Sequence, residues 1–373
     1  MALFLGVTVL SLVLGYFCYR EEQVQLHIRP GARVAATGII TRQDILNRWL
    51  CGAIFLVLTG LAVCRIASGN DYWGYASMFS LIYQNRTVSS EIGFNGVVYL
   101  MQVLFGAENY LPIFGLFSIL TVFFFVKTIY DQGEWFVFSL FLFMMNGYYF
   151  SSFNSVRFYF VLGIAMYSMK YVIREEYGKF LLWILAAALF HKTVLVVIPV
   201  YLAAKWLAGI RLKKWHIVAG VILVSSLFWA RELYREIIFA IYPFYENSQF
   251  DHVDYSVTNI GKCVGTLVLA GFCYRTAIRD NVRNKFYLYL TIVSLALYTC
   301  GAFIPEVSRI CYYMMISQIF LIPNMIKSMK DGIWKKLFTA GVILAFAAHF
   351  ALFLKTAYNV DIRLLPYLNW IFD

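Results

Sequence analysis

The feature that most constrains the fold is a series of apolar segments separated by short basic loops. A helix needs about 17–25 apolar residues to cross roughly 30 Å of hydrocarbon. The chain has 373 residues, 61% hydrophobic and 14% charged, whereas a soluble domain is about one quarter charged. The sequence therefore predicts an all-α fold, a polytopic transmembrane helical bundle that forms one integral membrane domain over residues 1–373.

Apolar segments at twelve places predict about twelve spans. The first has no basic n-region and no small-residue cleavage pattern, so we expect a retained span and not a signal peptide. The predicted spans are 2–19, 49–66, 110–128, 135–152, 157–173, 179–190, 193–208, 215–230, 261–277, 286–303, 310–326 and 337–354.

The distribution of lysine and arginine predicts the orientation. The net charge of +11 does not indicate nucleic-acid binding, because the basic residues cluster in loops between apolar segments, the pattern of cytoplasmic loops. Of the 31 lysines and arginines, 21 lie in alternate loops. Both termini are then predicted outside. The basic loops are 20–48, 127–134, 170–179, 205–214, 275–285 and 327–336.

Two outer segments are long enough to carry helices of their own, 67–109 and 231–260. The run 93–105 is too short to span, so we expect a re-entrant or interfacial helix. Residues 231–260 begin with an amphipathic pattern rich in Tyr and Phe. Such a pattern is typical of a helix that lies on the bilayer surface.

The apolar run from Phe180 to Ala204 is long enough for a single helix, but both of its flanks are basic. Both flanks are then cytoplasmic, so the chain must cross twice and turn at His191. An arm of twelve residues rises only about 18 Å. We therefore expect His191 below the outer surface, in a water-filled recess.

With this topology, several charged residues share the outer side. Charges within apolar segments are costly and mark functional sites by default. Arginine binds phosphate oxygens through two parallel hydrogen bonds, and a carboxylate or neutral imidazole can accept a hydroxyl proton. These residue types suit a lipid-linked phosphate. The outer charged residues are Arg65, Asp71, Glu91, Arg157, His191, Lys192 and Arg309.

Seven short sequence blocks follow one another in the order R-x5-D-Y-x2-Y (Arg65 to Tyr75), E-x-G-F (Glu91 to Phe94), N-x-x-R (Asn154 to Arg157), FHKT (Phe190 to Thr193), I-P-V-Y (Ile198 to Tyr201), R-x2-Y-Y followed by I-P (Arg309 to Pro323) and L-P-Y (Leu365 to Tyr367). This ordered set resembles the EpsG family, which in turn resembles Wzy-type polysaccharide polymerases. The resemblance spans nearly the whole chain. Two positions depart mildly from the expected pattern, Ile92 in place of proline and Thr193 in place of serine.

The resemblance implies a multi-pass enzyme of the bacterial plasma membrane whose active site faces outside. It would join oligosaccharide repeat units carried on undecaprenyl diphosphate into an extracellular or capsular polysaccharide. A flippase and a chain-length regulator are expected partners. No cofactor and no metal is expected, in agreement with Asp71 having no second aspartate nearby.

The leading hypothesis gives each candidate a role. Arg157 and Arg309 bind the diphosphate; His191 or Asp71 is the general base, and Glu91 supports acceptor binding. Arg65 and Lys192 are further candidates for diphosphate binding, and Tyr72, Tyr75 and Tyr312 for substrate binding.

Structural interpretations compete with several of these roles. Asp71 suits the N-cap of a helix that starts at Tyr72, and Lys192 suits a lysine whose ammonium reaches the interface. Tyr72 and Tyr75 suit packing, and Arg309 suits a local ion pair with Glu306.

Two other functions remain open at this stage. A glycosyltransferase or ligase that uses a polyprenyl phosphate sugar would be favoured by a divalent-metal requirement. A flippase or transporter of lipid-linked oligosaccharide would often show internal repeats, and we see none in the sequence.

Overall fold

The computed structural model describes residues 1–19, 41–84, 91–241, 243–248, 251, 253, 255–359 and 362–371. Parts of the predicted basic loop 20–48 and of the predicted outer segments 67–109 and 231–260 lie outside the described residues. Seventeen α-helices occur in the described ranges: α1 (Ala2–Tyr16), α2 (Arg42–Cys64), α3 (Tyr72–Tyr83), α4 (Ile92–Phe105), α5 (Leu111–Gln132), α6 (Phe136–Met145), α7 (Tyr148–Ser151), α8 (Val156–Ile173), α9 (Tyr177–Ala188), α10 (Val197–Gly209), α11 (Lys214–Trp229), α12 (Arg231–Ile241), α13 (Val257–Phe272), α14 (Val282–Cys300), α15 (Val307–Met315), α16 (Gln318–Lys327) and α17 (Ile333–Thr356).

The prediction of an all-α membrane bundle is confirmed in class, with one small addition. Two short strands, β1 (Arg65–Ile66) and β2 (Leu368–Asn369), pair antiparallel with Arg65 opposite Asn369. Shorter helical turns cover Lys192–Val196 (3₁₀), Pro243–Tyr245 (3₁₀) and Tyr274–Ile278 (π).

The predicted number of twelve spans is not confirmed. In the described part of the chain, five helices are long and apolar enough to cross a membrane, or six if α11 and α12 form one bent span. One reason is that some apolar segments predicted as single spans form two shorter helices. Segment 135–152 divides into α6 and α7 at Gly147, whose φ is +76°, and segment 310–326 divides between α15 and α16. Each half is too short to span alone.

Segments 67–109 and 231–260, predicted to lie outside, both contain helices. Helix α4 has 14 residues, fewer than a span needs. Helix α12 follows α11 after a bend of 75°. Their placement at the membrane surface, and the sidedness of both termini, stay predictions.

The predicted reversal of the chain direction at His191 is confirmed, whereas the two membrane crossings and the water-filled recess stay predictions. Phe180 and Tyr201 stack with ring centroids 6.2 Å apart, although 21 residues of straight helix would separate them by about 30 Å. The Lys205 Nζ atom also lies 2.9 Å from Glu175 Oε1. Both contacts require α9 and α10 to run side by side in opposite directions.

Helices α5 and α8 form the centre of the bundle. Phe160 on α8 packs edge-to-face on Phe117, at 5.6 Å between ring centroids, and lies 6.1 Å from Phe124. About 70% of each helix is buried, 67% of the α5 span and 72% of the α8 span. Arg157 lies in the first turn of α8. Its backbone is therefore part of the helix with the largest buried share among the candidate spans.

The loop between α2 and α3 is closed by the last described part of the chain. Strand β1 pairs with β2, and the Gly69 and Asn70 amides donate to the carbonyls of Arg363 and Ile362 at 2.8 and 3.1 Å. These bonds join residues nearly 300 positions apart. The loop therefore has a fixed backbone, and it ends at Asp71.

Candidate functional site

Asp71 is placed by a close approach between its loop and the start of α8. A Cβ on Gly69, whose φ is +95°, would lie 2.7 Å from Asn154 Cα, so only glycine fits. The Asp71 amide donates to Asn154 Oδ1 at 2.9 Å. Asp71 occupies the N-cap of α3 but makes no side-chain cap hydrogen bond. Its carboxylate is therefore available for a role other than capping.

Asp71 lines a cavity of about 250 Å³ together with two of the predicted arginines. The wall of this cavity combines one acid, two guanidinium groups and one aromatic ring. An anionic group that enters it would meet two fixed positive charges beside a proton acceptor. The lining residues are Asp71, Gly74, Tyr75, Met78, Ser155, Arg157 and Arg309.

Arg157 is held by both charge and aromatic rings. Its Nη1 lies 3.0 Å from Glu91 Oε2. The guanidinium carbon lies 4.8 Å from the Phe94 ring centroid and 5.6 Å from that of Tyr75, within the range of cation–π attraction. The side chain is 19% exposed. It is thus fixed in direction while part of it reaches the cavity.

Glu91 reaches Arg157 because the start of α4 docks on the end of α9. The Gly93 and Phe94 amides donate to the Leu189 carbonyl at 3.0 and 3.3 Å. A Cβ on Gly93 would lie 2.7 Å from Leu189 Cβ. The E-x-G-F block therefore has a physical meaning: the acid pairs with Arg157, the glycine permits docking and the phenylalanine lies against the guanidinium.

His191 lies on the far side of Glu91. Its Nδ1 is 3.7 Å from Glu91 Oε1, too long for a hydrogen bond. Its Nε2 makes no hydrogen bond to any residue that the structure describes. Burial lowers the pKa of His191; Glu91 opposes the shift, and Arg157 and Arg309 add to it. Burial and the two arginines therefore favour the neutral imidazole.

Burial also favours the neutral form of the Asp71 carboxyl group. Burial raises the pKa of the Asp71 carboxyl, while Arg309 and Arg157 act against the shift. A carboxylate with a raised pKa is a stronger proton acceptor than an ordinary one. Asp71 combines this property with a position in the cavity wall.

Arg309 makes the predicted local ion pair and also lines the cavity. Its Nε lies 3.1 Å from Glu306 Oε2, and its side chain is 34% exposed. Glu306 has a φ of +54° at the N-cap of α15. The ion pair and the cavity position therefore coexist, and the pair orients the guanidinium.

The structure does not bring every candidate to the cavity. Arg65 is 1% exposed, and its Nη1 donates to the Ala62 carbonyl and to Ser118 Oγ at 2.5 and 2.6 Å. Tyr72 is also buried and stacks on Phe114 at 4.4 Å. Lys192 is exposed and does not line the cavity. The packing interpretation of Tyr72 agrees with this placement.

Of the other two candidate tyrosines, Tyr75 lines the cavity and Tyr312 does not. Tyr75 lines the cavity under Arg157, whereas Tyr312 packs edge-to-face on Tyr148 at 5.8 Å and does not line it. A direct contact between Tyr312 and substrate stays a prediction.

Three residues that position the site were not among the sequence candidates. Asn154 anchors the Asp71 amide, Gly93 lets α4 dock and Glu306 orients Arg309. Asn154 and Gly93 belong to the short blocks described above, so a signal was present. Glu306 was visible in the sequence only as a neighbour of Arg309.

The model of the EpsG family matches residues 48–369, nearly the whole chain. No curated protein and no solved structure matches the chain significantly.

Proposed function

Since the chain belongs to the EpsG family, a family of Wzy-like polymerases, we propose that it polymerises oligosaccharide repeat units carried on undecaprenyl diphosphate. The reaction takes place at the outer face of the bacterial plasma membrane and yields an extracellular or capsular polysaccharide.

One observation carries the proposal: Asp71, Arg157 and Arg309 line the same cavity although they come from three distant parts of the chain. Loss of a lipid diphosphate builds negative charge on its oxygens. Two preplaced guanidinium groups stabilise that charge in the transition state. Asp71 lines the same cavity, and its carboxylate is the proposed proton acceptor.

The reaction balances with these groups alone. A hydroxyl of the incoming lipid-linked unit attacks the anomeric carbon at the reducing end of the growing chain. A new glycosidic bond forms, the bond to the lipid diphosphate breaks and its electron pair leaves on the diphosphate. Asp71 accepts the hydroxyl proton, and Arg157 and Arg309 bind the leaving diphosphate.

The geometry favours Asp71 over His191 as the base. Asp71 lines the cavity, whereas His191 lies behind Glu91 and does not. In this mechanism Glu91 is a positioning residue for Arg157, and the neutral imidazole leaves the Glu91–Arg157 pair undisturbed.

Alanine at Arg157 tests the proposal. Arg157→Ala should abolish long-chain polysaccharide while the protein stays in the membrane. Arg174→Ala is the matched control, because Arg174 follows the last turn of the same helix and is exposed. Normal polymer lengths in Arg157→Ala would refute the proposed site.

The place where unpolymerised units collect tests the reaction class. A strain that lacks this protein should accumulate single repeat units outside the cell. Accumulation of those units inside the cell would instead indicate a flippase.

A further inference from the structure

A second cavity, which the proposed chemistry does not use, lies between α13 and α17 and measures about 400 Å³. We call it the slot. Its walls are mostly aliphatic and aromatic, with Lys262 and His349 as its basic members and no acidic side chain among its lining residues. Val268 and Leu337 in its wall are 55% and 53% exposed, so the slot opens sideways, toward the hydrocarbon of a bilayer.

The slot has a charged end and an apolar end. Lys262 and His349 both line the slot, while Phe272 packs on Phe338 with ring centroids 5.2 Å apart. Helices α13 and α17 therefore run antiparallel along it. The ten residues from Lys262 to Phe272 span about 15 Å, which is about half of the hydrocarbon thickness.

Glycines keep the slot open. Small residues usually let two membrane helices approach closely. Here a Cβ added to Gly261, Gly265 or Gly341 would meet no atom within 4 Å. These glycines are therefore not used in helix packing, and the space beside them is accessible to another molecule.

Lys262 has no counter-charge in the described part of the chain. No acidic side chain there lies within ion-pair distance of it, in contrast to Arg157 and Arg309. A lysine inside an apolar helix is costly unless it has an anionic partner. Basic pockets between membrane helices bind lipid phosphate groups in this way.

From these observations we propose that the slot binds one anionic phospholipid of the bilayer, with its phosphate at Lys262 and one acyl chain along α13 and α17 toward Phe338. The charge of Lys262 selects the phosphate, and the mostly apolar walls fit an acyl chain.

Lipid retention tests the proposal. The full chain is purified in mild detergent from membranes that contain phosphatidylglycerol and phosphatidylcholine, and bound lipid is counted by native mass spectrometry. The wild type should retain one phosphatidylglycerol. Lys262→Gln should lower the retained fraction roughly ten-fold, since a charged hydrogen bond is lost. Lys355→Gln is the control, an exposed lysine in the last turn of α17 that does not line the slot.

A second variant separates lipid binding from folding. Gly265→Leu places a side chain in open space within the slot and should expel the lipid while the variant still unfolds at the wild-type temperature. Gly220→Leu on α11, also in open space, should retain it. Equal retention in all variants, or preferential retention of added undecaprenyl phosphate, would overturn the proposal.

Discussion

The cavity at Asp71 and the slot at Lys262 differ in whether their basic side chains have acidic partners and in how deeply the adjacent helices are buried. The cavity is the smaller, about 250 Å³ against 400 Å³, and each of its arginines has a glutamate partner. Its central helix α8 is 72% buried, whereas α17 beside the slot is 17% buried. Paired charges on buried helices are fixed in direction, as catalysis requires. Lys262, which has no acidic partner among the described residues, suits an anionic ligand that the bilayer supplies.

The largest effect is expected at Asp71 and would distinguish the proposed catalytic charge in the cavity from charges elsewhere in the bundle. Asp71→Asn removes the proposed base and keeps the shape of the side chain, so polymer formation from lipid-linked units by purified protein should fall by about 10²–10⁴-fold. Asp331→Asn, at an exposed aspartate paired with Lys335, is the control and should not change the rate. A loss of less than ten-fold in Asp71→Asn would mean that another group takes the proton.

A glycine substitution would sharpen the contrast in packing between the two regions. Gly93→Ala drives a methyl group against Leu189, and overpacking of this kind costs about 1–3 kcal/mol. Gly96→Ala on the same helix and Gly265→Ala in the slot meet open space and should not lower stability. Thermal unfolding in detergent measures all three. Equal unfolding temperatures would show that α4 does not need to dock closely on Leu189.

The dependence of activity on pH would show which cavity group titrates. Burial raises the pKa of Asp71, so its active carboxylate form is lost on acidification at a higher pH than for an ordinary aspartate. Below that pKa the rate should fall about ten-fold per pH unit. Because this fall in rate at low pH is assigned to protonation of Asp71, it should persist in His191→Gln. Its disappearance in that variant would identify His191 as the base.

The smallest effect is expected at the rim of the cavity. The Arg309–Glu306 pair is partly exposed, and such pairs contribute about 0–1 kcal/mol. Glu306→Gln should therefore weaken binding of a lipid diphosphate by about two- to five-fold, measured by titration, while Glu236→Gln at an exposed glutamate should not. A loss as large as that of Arg157→Ala would place Glu306 in the chemistry itself.

The sequence allowed the convergence of the site to be predicted, because charge within apolar segments is costly and basic flanks indicate sidedness. The reversal at His191 followed from the basic flanks of a single apolar run. The grouping of Asp71, Glu91, Arg157, His191 and Arg309 followed from their shared predicted side, and the structure places them near one another.

Other features depend on contacts that hydropathy does not reveal. Arg65 looked like its neighbours in charge and sidedness, but Ser118 and the Ala62 carbonyl satisfy it inside the core. The breaks at Gly147 and between α15 and α16 interrupt segments that are uniformly apolar. Backbone geometry and distant partners decide these features, and neither has a periodic signature.

The pairing of β1 with β2 has a consequence for how the protein matures. Asp71 is translated early, yet the backbone that closes its loop belongs to residues 362–369. A nascent chain on the ribosome therefore lacks the finished Asp71 loop for most of its synthesis. Under the proposed mechanism, a half-inserted chain would hold the arginine of α8 without a correctly placed base, and turnover would begin only after the tail has docked.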